Sequence, residues 1–456
     1  MNEATWLFAQ QHRLDDVRQL ALQGSREADV DLPAALQQIA GWQTARRKLP
    51  SWAETEGLLF PPHLAMEQCS SEQAARYKAQ VAASLMASSS PLPASSPLPA
   101  SSPLPASSSS LPSPSSASVR YVATSSQPHP PSQTAGGALL IDLTGGLGVD
   151  FSFLSRQFAR AVYVERQEEL CLLARHNFSV LGLRHVQVMQ GDGAAYLPQM
   201  PAATMIFLDP ARRDDHGART YGIADCTPDV LALLPVLLEK CEWLMLKLSP
   251  MLDWRKTVLD LGADNVRQVH IVSVGGECKE LLLVLSQRHG GPLSLWCQND
   301  DEQFYVADAG DPGESQPAGI QAIGDLLGPE GSPRYLYEPN ASLMKAGCFA
   351  AIEARFGLSQ LAQNSHLFLS QHPLPQFPGR GFSIVGATTM NKKELRKALS
   401  GMRQANIAVR NFPMSVAQLR QRLKLSEGGG NYLFATTLAS GLHVLVVCRR
   451  MSGLSV

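Results

Sequence analysis

From residue 138 the chain alternates between short, almost wholly apolar runs and longer stretches in which apolar residues recur every three to four positions. The runs at 139–143, 161–164, 186–189, 205–208 and 243–248 are too short for helices. Their composition is that of strands buried on both faces, and the segments between them are long enough for crossover helices. The pattern predicts a doubly wound parallel α/β sheet. Runs at 266–274 and 280–285 predict a terminal β-hairpin closing that sheet. A mixed α+β region follows to the C-terminus, with its clearest strands at 432–437 and 443–448.

Ahead of residue 86 the pattern is helical. Leu14, Val17, Leu20 and Leu22 recur at helix-like spacing, and Leu32-Pro33-Ala34-Ala35-Leu36-Gln37-Gln38-Ile39 opens a second amphipathic stretch. Residues 87–135 then turn to Ser, Pro and Ala, with Ser-Ser-Pro-Leu-Pro-Ala repeated three times from Ser89. Such a composition cannot bury enough apolar surface to offset its ordering entropy, and it is expected to be a flexible tether. The expected division is a helical accessory module at 1–86, the tether at 87–135, an α/β core at 136–290, an α+β region at 291–387 and a last domain at 388–456.

Composition adds little to this picture, but charge does. Forty-five per cent of the 456 residues are hydrophobic and 17% charged, which suits ordinary globular cores and excludes a fibrous or wholly disordered chain. The net charge of −1 conceals a segment, 391–424, with nine Lys or Arg against Glu394 alone. Such a segment is either a footprint for a phosphate backbone or a solvated pair of helices. Eight scattered cysteines without a C-x-x-C pair read as free thiols in a reducing compartment. With no leader pattern at the N-terminus and no membrane-length apolar run, a cytoplasmic location is expected.

The candidate chemistry collects at strand ends. The first strand runs into Asp142-Leu143-Thr144-Gly145-Gly146-Leu147-Gly148-Val149-Asp150, a glycine-rich turn that lets backbone approach a ligand before a helix begins. Glu165 ends the second strand, where a carboxylate can accept both hydroxyls of a ribose, and Asp192 follows the third, where an adenine is commonly held. A dinucleotide fingerprint would read G-x-G-x-x-G. Here the carboxylate of Asp142 precedes the glycines and suits a cationic methionine moiety better than a pyrophosphate, so the loop points to S-adenosylmethionine (SAM). Asp142, Thr144, Gly145, Gly146, Gly148, Asp150, Glu165 and Asp192 are therefore the candidate cofactor residues; each glycine taken singly is also compatible with an ordinary tight turn.

The fourth strand ends in Phe207-Leu208-Asp209-Pro210-Ala211-Arg212-Arg213. It occupies the place where class I enzymes acting on nucleic-acid amines resemble one another in an Asp/Asn-Pro-Pro motif. Pro210 stiffens the loop, and Asp209 offers an acceptor to hold an amine against the methyl group. Ala211 and Arg212 depart from that motif, so Arg212 and Arg213 become candidates for gripping phosphate. Lys247, in Lys247-Leu248-Ser249-Pro250 on the fifth strand, either contacts substrate phosphate or pairs with Asp209. Asp209, Pro210 and Lys247 are the candidate catalytic residues. Carbon methylation of a pyrimidine would need a nucleophilic cysteine, for which Cys226 and Cys278 stand near strand ends without an obvious activating base. His176, His185 and His216 lack metal-ligand spacing, and no metal is expected.

These residues, with Lys48-Leu49-Pro50-Ser51-Trp52, Met66-Glu67-Gln68-Cys69-Ser70-Ser71-Glu72, Glu277-Cys278-Lys279-Glu280-Leu281, Tyr337-Glu338-Pro339-Asn340 and Val409-Arg410-Asn411-Phe412-Pro413, resemble the class I SAM-dependent methyltransferases that carry a C-terminal THUMP-like domain. The resemblance spans most of the chain. It implies a Rossmann-like core with an N-terminal helical module, a ferredoxin-like segment near 335–387 and a THUMP-like domain from about 388. THUMP domains bind RNA and the basic segment falls within this one, so the expected partner is RNA, a tRNA or rRNA, with Lys392, Lys393, Arg396 and Arg410 among its contacts. The leading expectation is methylation of an RNA base amine. The alternatives are a protein or small-molecule acceptor, or a non-catalytic RNA-binding protein on a SAM fold.

Overall fold

The computed structural model describes residues 1–23, 29–89, 137–212, 222–309, 320–328 and 334–451. The segment expected as a tether lies almost wholly outside them. The chain forms two compact units, one of residues 1–267 and 282–291, the other of 268–281 and 292–456.

The first unit opens with six helices: α1 Glu3–Gln11, α2 Val17–Gln23, α3 Leu32–Lys48, α4 Pro50–Glu54, α5 His63–Gln68 and α6 Glu72–Ser89. The Asp31 carboxylate caps α3 by accepting the Ala34 N–H at 3.1 Å. The expected first helical stripe is only half right. Val17 and Leu20 pack inward, but Leu14 lies outside the helix, 70% exposed, and Leu22 is 88% exposed. The buried face of α2 is too narrow to need them.

The α/β part continues as β1 Leu139–Asp142, α7 Val149–Leu154, β2 Arg160–Glu165, α8 Glu168–Val180, β3 Val186–Gln190, α9 Gly193–Tyr196 and β4 Ala203–Leu208. A two-residue pair, β5 Ala211–Arg212 and β6 Cys226–Thr227, follows, and then α10 Val230–Lys240, β7 Cys241–Leu248, α11 Trp254–Asp260, β8 Val266–Val274 and β9 Glu277–Leu285. Strands β7, β4, β1, β2 and β3 are parallel neighbours in that order, with β9 beyond β7. Each expected core strand is present within two residues of its expected bounds. The central strands β1 and β4 are buried on both faces, which is why they read as apolar runs. With all five strands parallel, their C-terminal ends share one edge, and that edge carries the candidate residues.

The helices fall in the same compact unit as this α/β part. The Asn177 side chain on α8 exchanges two 2.9 Å hydrogen bonds with the backbone of Leu59, and His176 Nε2 lies 2.7 Å from the Gly57 carbonyl. His176 and His185, the latter bonded to the Ser155 carbonyl, are thus packing residues; His216 lies outside the described residues.

The second unit continues with β10 Ser294–Asn299, β11 Glu302–Val306, α12 Ile323–Leu326, β12 Tyr335–Pro339, α13 Ala341–Ala346, α14 Phe349–Phe356, β13 Ser359–Gln360 and β14 Phe368–Ser370. Next come β15 Gly379–Thr389, α15 Lys392–Ala398, β16 Asn406–Val409, α16 Val416–Leu423, β17 Asn431–Thr437 and β18 His443–Arg450. Seven of these strands form one sheet in the order β13-β14-β12-β15-β18-β17-β16. Strand β15 runs across the expected boundary at 387/388 and pairs with β12 on one side and β18 on the other. The parts expected to be ferredoxin-like and THUMP-like therefore share a sheet. Glu338 on β12 is 3% exposed and holds the guanidinium of Arg380, its register partner on β15, and that of Arg410. Two cations around one buried carboxylate tie β12 and β15 to the loop after β16. No helix among the described residues is long and apolar enough to cross a membrane.

Candidate active site

The loop after β1 is built around glycines that admit no side chain. A Cβ on Gly145 would stand 2.3 Å from the buried ring of Tyr163, and one on Gly148, at φ +71°, would stand 2.6 Å from the ring of Phe178. The chain therefore lies directly against these rings. Tyr163 donates its hydroxyl hydrogen to the Gly146 carbonyl, and the Gly146 N–H donates to Glu165 Oε2 at 2.9 Å. The other oxygen of Glu165 accepts the Gln167 N–H at 2.9 Å. Thr144 through Leu147 stay partly exposed at the sheet edge.

Asp142, at the base of the loop, is 2% exposed and accepts the Thr144 N–H at 2.8 Å and its hydroxyl at 3.3 Å. No cation is paired with it among the described residues. Burial pushes its carboxyl up to about 8; the Thr144 N–H opposes this, and the nearby Asp209 and Asp150 add to it. The Thr144 hydroxyl oxygen also accepts the Asp209 N–H at 2.7 Å, so the ends of β1 and β4 are bound together. Asp192 caps α9 through the Ala195 N–H at 3.0 Å and is exposed, 3.9 Å from Arg166.

Behind this edge runs a chain of charges. Lys247 Nζ lies 2.5 Å from Asp209 Oδ2 and 3.2 Å from Asp150 Oδ2. Asp150 also accepts the Ser70 hydroxyl at 2.8 Å on Oδ2 and faces Lys78 Nζ at 3.1 Å on Oδ1. Burial alone would raise the Asp150 carboxyl; Lys78 and Lys247 outweigh it and hold the group below the usual carboxylate range. Of the two roles open to Lys247, pairing with Asp209 is the one realised, and at 15% side-chain exposure its ammonium is poorly placed to grip phosphate. Asp150, expected on the cofactor side, is turned toward Ser70 and Lys247 through Oδ2 and paired by charge with Lys78 through Oδ1.

The edge thus brings together Asp142, Thr144, Gly145, Gly146, Gly148, Glu165, Asp209, Pro210 and Lys247, with Asp192 at the neighbouring strand. Arg213 lies outside the described residues, and of Arg212 only the backbone pairing with Cys226 is described. The basic candidates belong to the other unit. Lys392, Lys393 and Arg396 are exposed on α15, whereas Arg410 is held by Glu338. Cys226 is buried and Cys278 is half buried with its thiol pushed up by burial. The thiol that does come within electrostatic reach of Asp150 and Lys247 is that of Cys69, and burial pushes it up to about 11. At neutral pH it is no thiolate. Sequence reasoning missed Cys69, Ser70 and Lys78; for the first two the signal was the Met66 to Glu72 motif, whose residues had no assigned part, and Lys78 lies beyond it on α6.

The C-terminal residues match two family models, a ferredoxin-like domain at 335–378 and a THUMP domain-like model at 379–450. A crystal structure from Porphyromonas gingivalis W83, assigned as a methyltransferase, superposes with a TM-score of 0.75 and 29% identity, covering 98% of both chains. Two uncharacterised S-adenosylmethionine-dependent methyltransferases of Mycobacterium tuberculosis are 25% identical over 319 residues, 69% of this chain and 82% of theirs.

Proposed function

This chain is a SAM-dependent methyltransferase with ferredoxin-like and THUMP-like parts at its C-terminus, and from that premise we propose that it methylates a base amine of RNA. The observation that carries this reading is the placing of Asp209-Pro210. It stands at the end of β4, bound to the glycine loop through Thr144 and to Lys247 through its carboxylate.

The residues at the sheet edge fit the cofactor: Thr144 through Leu147 keep the glycine loop partly exposed at that edge, and a buried carboxylate without a paired cation among the described residues stands at its base. Asp142, Thr144, Gly145, Gly146 and Gly148 would hold the methionine part, Glu165 the ribose and Asp192 the adenine. When bound, SAM supplies an electrophilic methyl group on a positively charged sulfur. The protein's share is positioning. Lys247 holds one oxygen of Asp209, and the other can accept a hydrogen bond from an exocyclic amine and fix its direction of approach. A base swung out of a duplex or taken from a single strand is the substrate form that can enter such an edge. Seven of the nine basic residues of 391–424 are exposed (392, 393, 396, 397, 403, 422 and 424), cations suited to a phosphate backbone.

The direct test is transfer of labelled methyl from SAM to total RNA from cells lacking the protein. Label in RNA supports the reading and allows the nucleoside to be identified; label only in protein or small molecules moves the acceptor to those classes.

Cofactor binding should depend on pH through Asp142. Below about 8 that group is protonated and neutral, so a cationic ligand gains little from it; as pH rises the carboxylate ionises and the attraction appears. Calorimetric affinity for SAM is expected to rise by up to about tenfold between pH 6 and 7. In Asp142→Asn the rise should vanish, and a rise of the same size in that variant would remove Asp142 from the cofactor side.

A further inference from the structure

Lys78 is the least expected member of the site. It sits on α6, in the helical module, and its side chain is fully buried against Asp150. A buried ammonium is costly even when paired, and an apolar side chain of similar size often stabilises a fold as well or better. Stability alone does not call for a lysine here.

The surrounding motif residues hold Lys78 and its loop in place. Lys48 donates to the carbonyls of Met66, at 3.0 Å, and Glu67. The Ser51 N–H and hydroxyl both donate to Glu72 Oε2, at 2.8 and 2.9 Å, and Arg76 pairs with the other oxygen of Glu72. Ser70 is thereby brought to Asp150, and Lys78 lies two turns into the helix that Glu72 opens, 3.3 Å from the Ser70 hydroxyl.

We infer that Lys78 is a positioning residue of the methyl-transfer site: through Asp150 it fixes Lys247, and through Lys247 it fixes the carboxylate of Asp209. The reason is the sharing of charges. Two ammonium groups serve two carboxylates, and Lys247 stands closer to Asp209, at 2.5 Å, than to Asp150, at 3.2 Å. With Lys78 present, the charge of Asp150 is balanced from the other side. Without it, the buried Asp150 competes for Lys247 where the dielectric is low, and Lys247 is drawn away from the more exposed Asp209. The helical module is then a structural part of the acceptor site. This rests on the reading of Asp209 as the acceptor-side residue.

The test uses the full chain with Lys78→Met, which keeps the bulk of the side chain, and with the double variant Lys78→Met/Asp150→Asn, in which the competing charge is also gone. Protein labelled with 15N-lysine, with Lys247→Met for assignment, reports on Lys247 without any acceptor. Its ammonium resonance should move in Lys78→Met and return in the double variant. Labelled-methyl transfer to total RNA should fall about 100-fold in Lys78→Met, the scale of a misplacement of about 1 Å. Calorimetric SAM affinity should be retained, and the double variant should recover most of the lost transfer. An unmoved Lys247 resonance, or a double variant no better than the single one, overturns the inference; so does failure of both variants to fold, which would make Lys78 a core residue. If the wild type leaves RNA unlabelled, the RNA reading fails, while the resonance still decides the coupling of Lys78 to Lys247.

Discussion

Asp209→Ala is expected to lower methyl transfer by about 10³-fold, within the range of groups that hold or take a proton in the transition state. Calorimetric affinity for SAM should hardly change. The expectation follows from where the residue is tied. Its backbone is fixed to the glycine loop by the Thr144 hydroxyl, a contact alanine keeps; its carboxylate serves Lys247 and the acceptor, which alanine loses. The cost to folding should be small, about 1 kcal/mol or less, because the Asp209 side chain is 39% exposed and Lys247 retains Asp150. Asp209→Asn separates two roles. The amide keeps an acceptor oxygen and should retain much more transfer than alanine if Asp209 only orients the amine. It should fall as far as alanine if the carboxylate must carry away the proton. Equal loss of SAM affinity and transfer in Asp209→Ala would place the residue on the cofactor side instead.

How far the site was legible in the sequence follows from how its parts are held. The sheet could be read because parallel strands buried on both faces admit almost nothing but apolar residues, so β1 and β4 were marked by composition alone. Once that sheet is parallel, Asp142, Glu165 and Asp209 must share an edge, and no knowledge of side-chain packing is needed to bring them together. The charge network is of another kind. Asp150 meets Ser70 across 80 residues of chain and Lys247 across 97, and neither pairing leaves a periodic mark. Arg410 and Glu338 are likewise 72 residues apart, so a guanidinium that counts as basic surface in the sequence is partly spent on a buried carboxylate in the fold. The misread stripe at Leu14 and Leu22 has a simpler cause. A short helix resting on one larger neighbour buries a narrow face, and spacing alone does not tell which leucines fall on it.

That difference between surface charge and spent charge sets the expected behaviour of the THUMP-like domain. Lys392, Lys393 and Arg396 are exposed on α15, whose one buried residue, Leu395, anchors the helix. Reversing all three to Glu should therefore leave the fold intact. If α15 lies on the RNA, these three of its four cations displace counterions, and log affinity falls with log salt by about 0.7 for each phosphate contacted on a single strand. Loss of three such contacts should lower that slope by about 2 and weaken binding about 100-fold at low salt, with little regard to sequence. Affinity for SAM, which the first unit would hold, should not change. Arg410 is the informative contrast. Its guanidinium neutralises Glu338, so Arg410→Ala should lower thermal stability, because it leaves a buried carboxylate with Arg380 as its remaining partner among the described residues. A triple variant that binds RNA with unchanged affinity and salt slope would rule out α15 as the contact surface and direct the search to Arg403, Arg422 and Lys424, the exposed cations of the segment outside that helix.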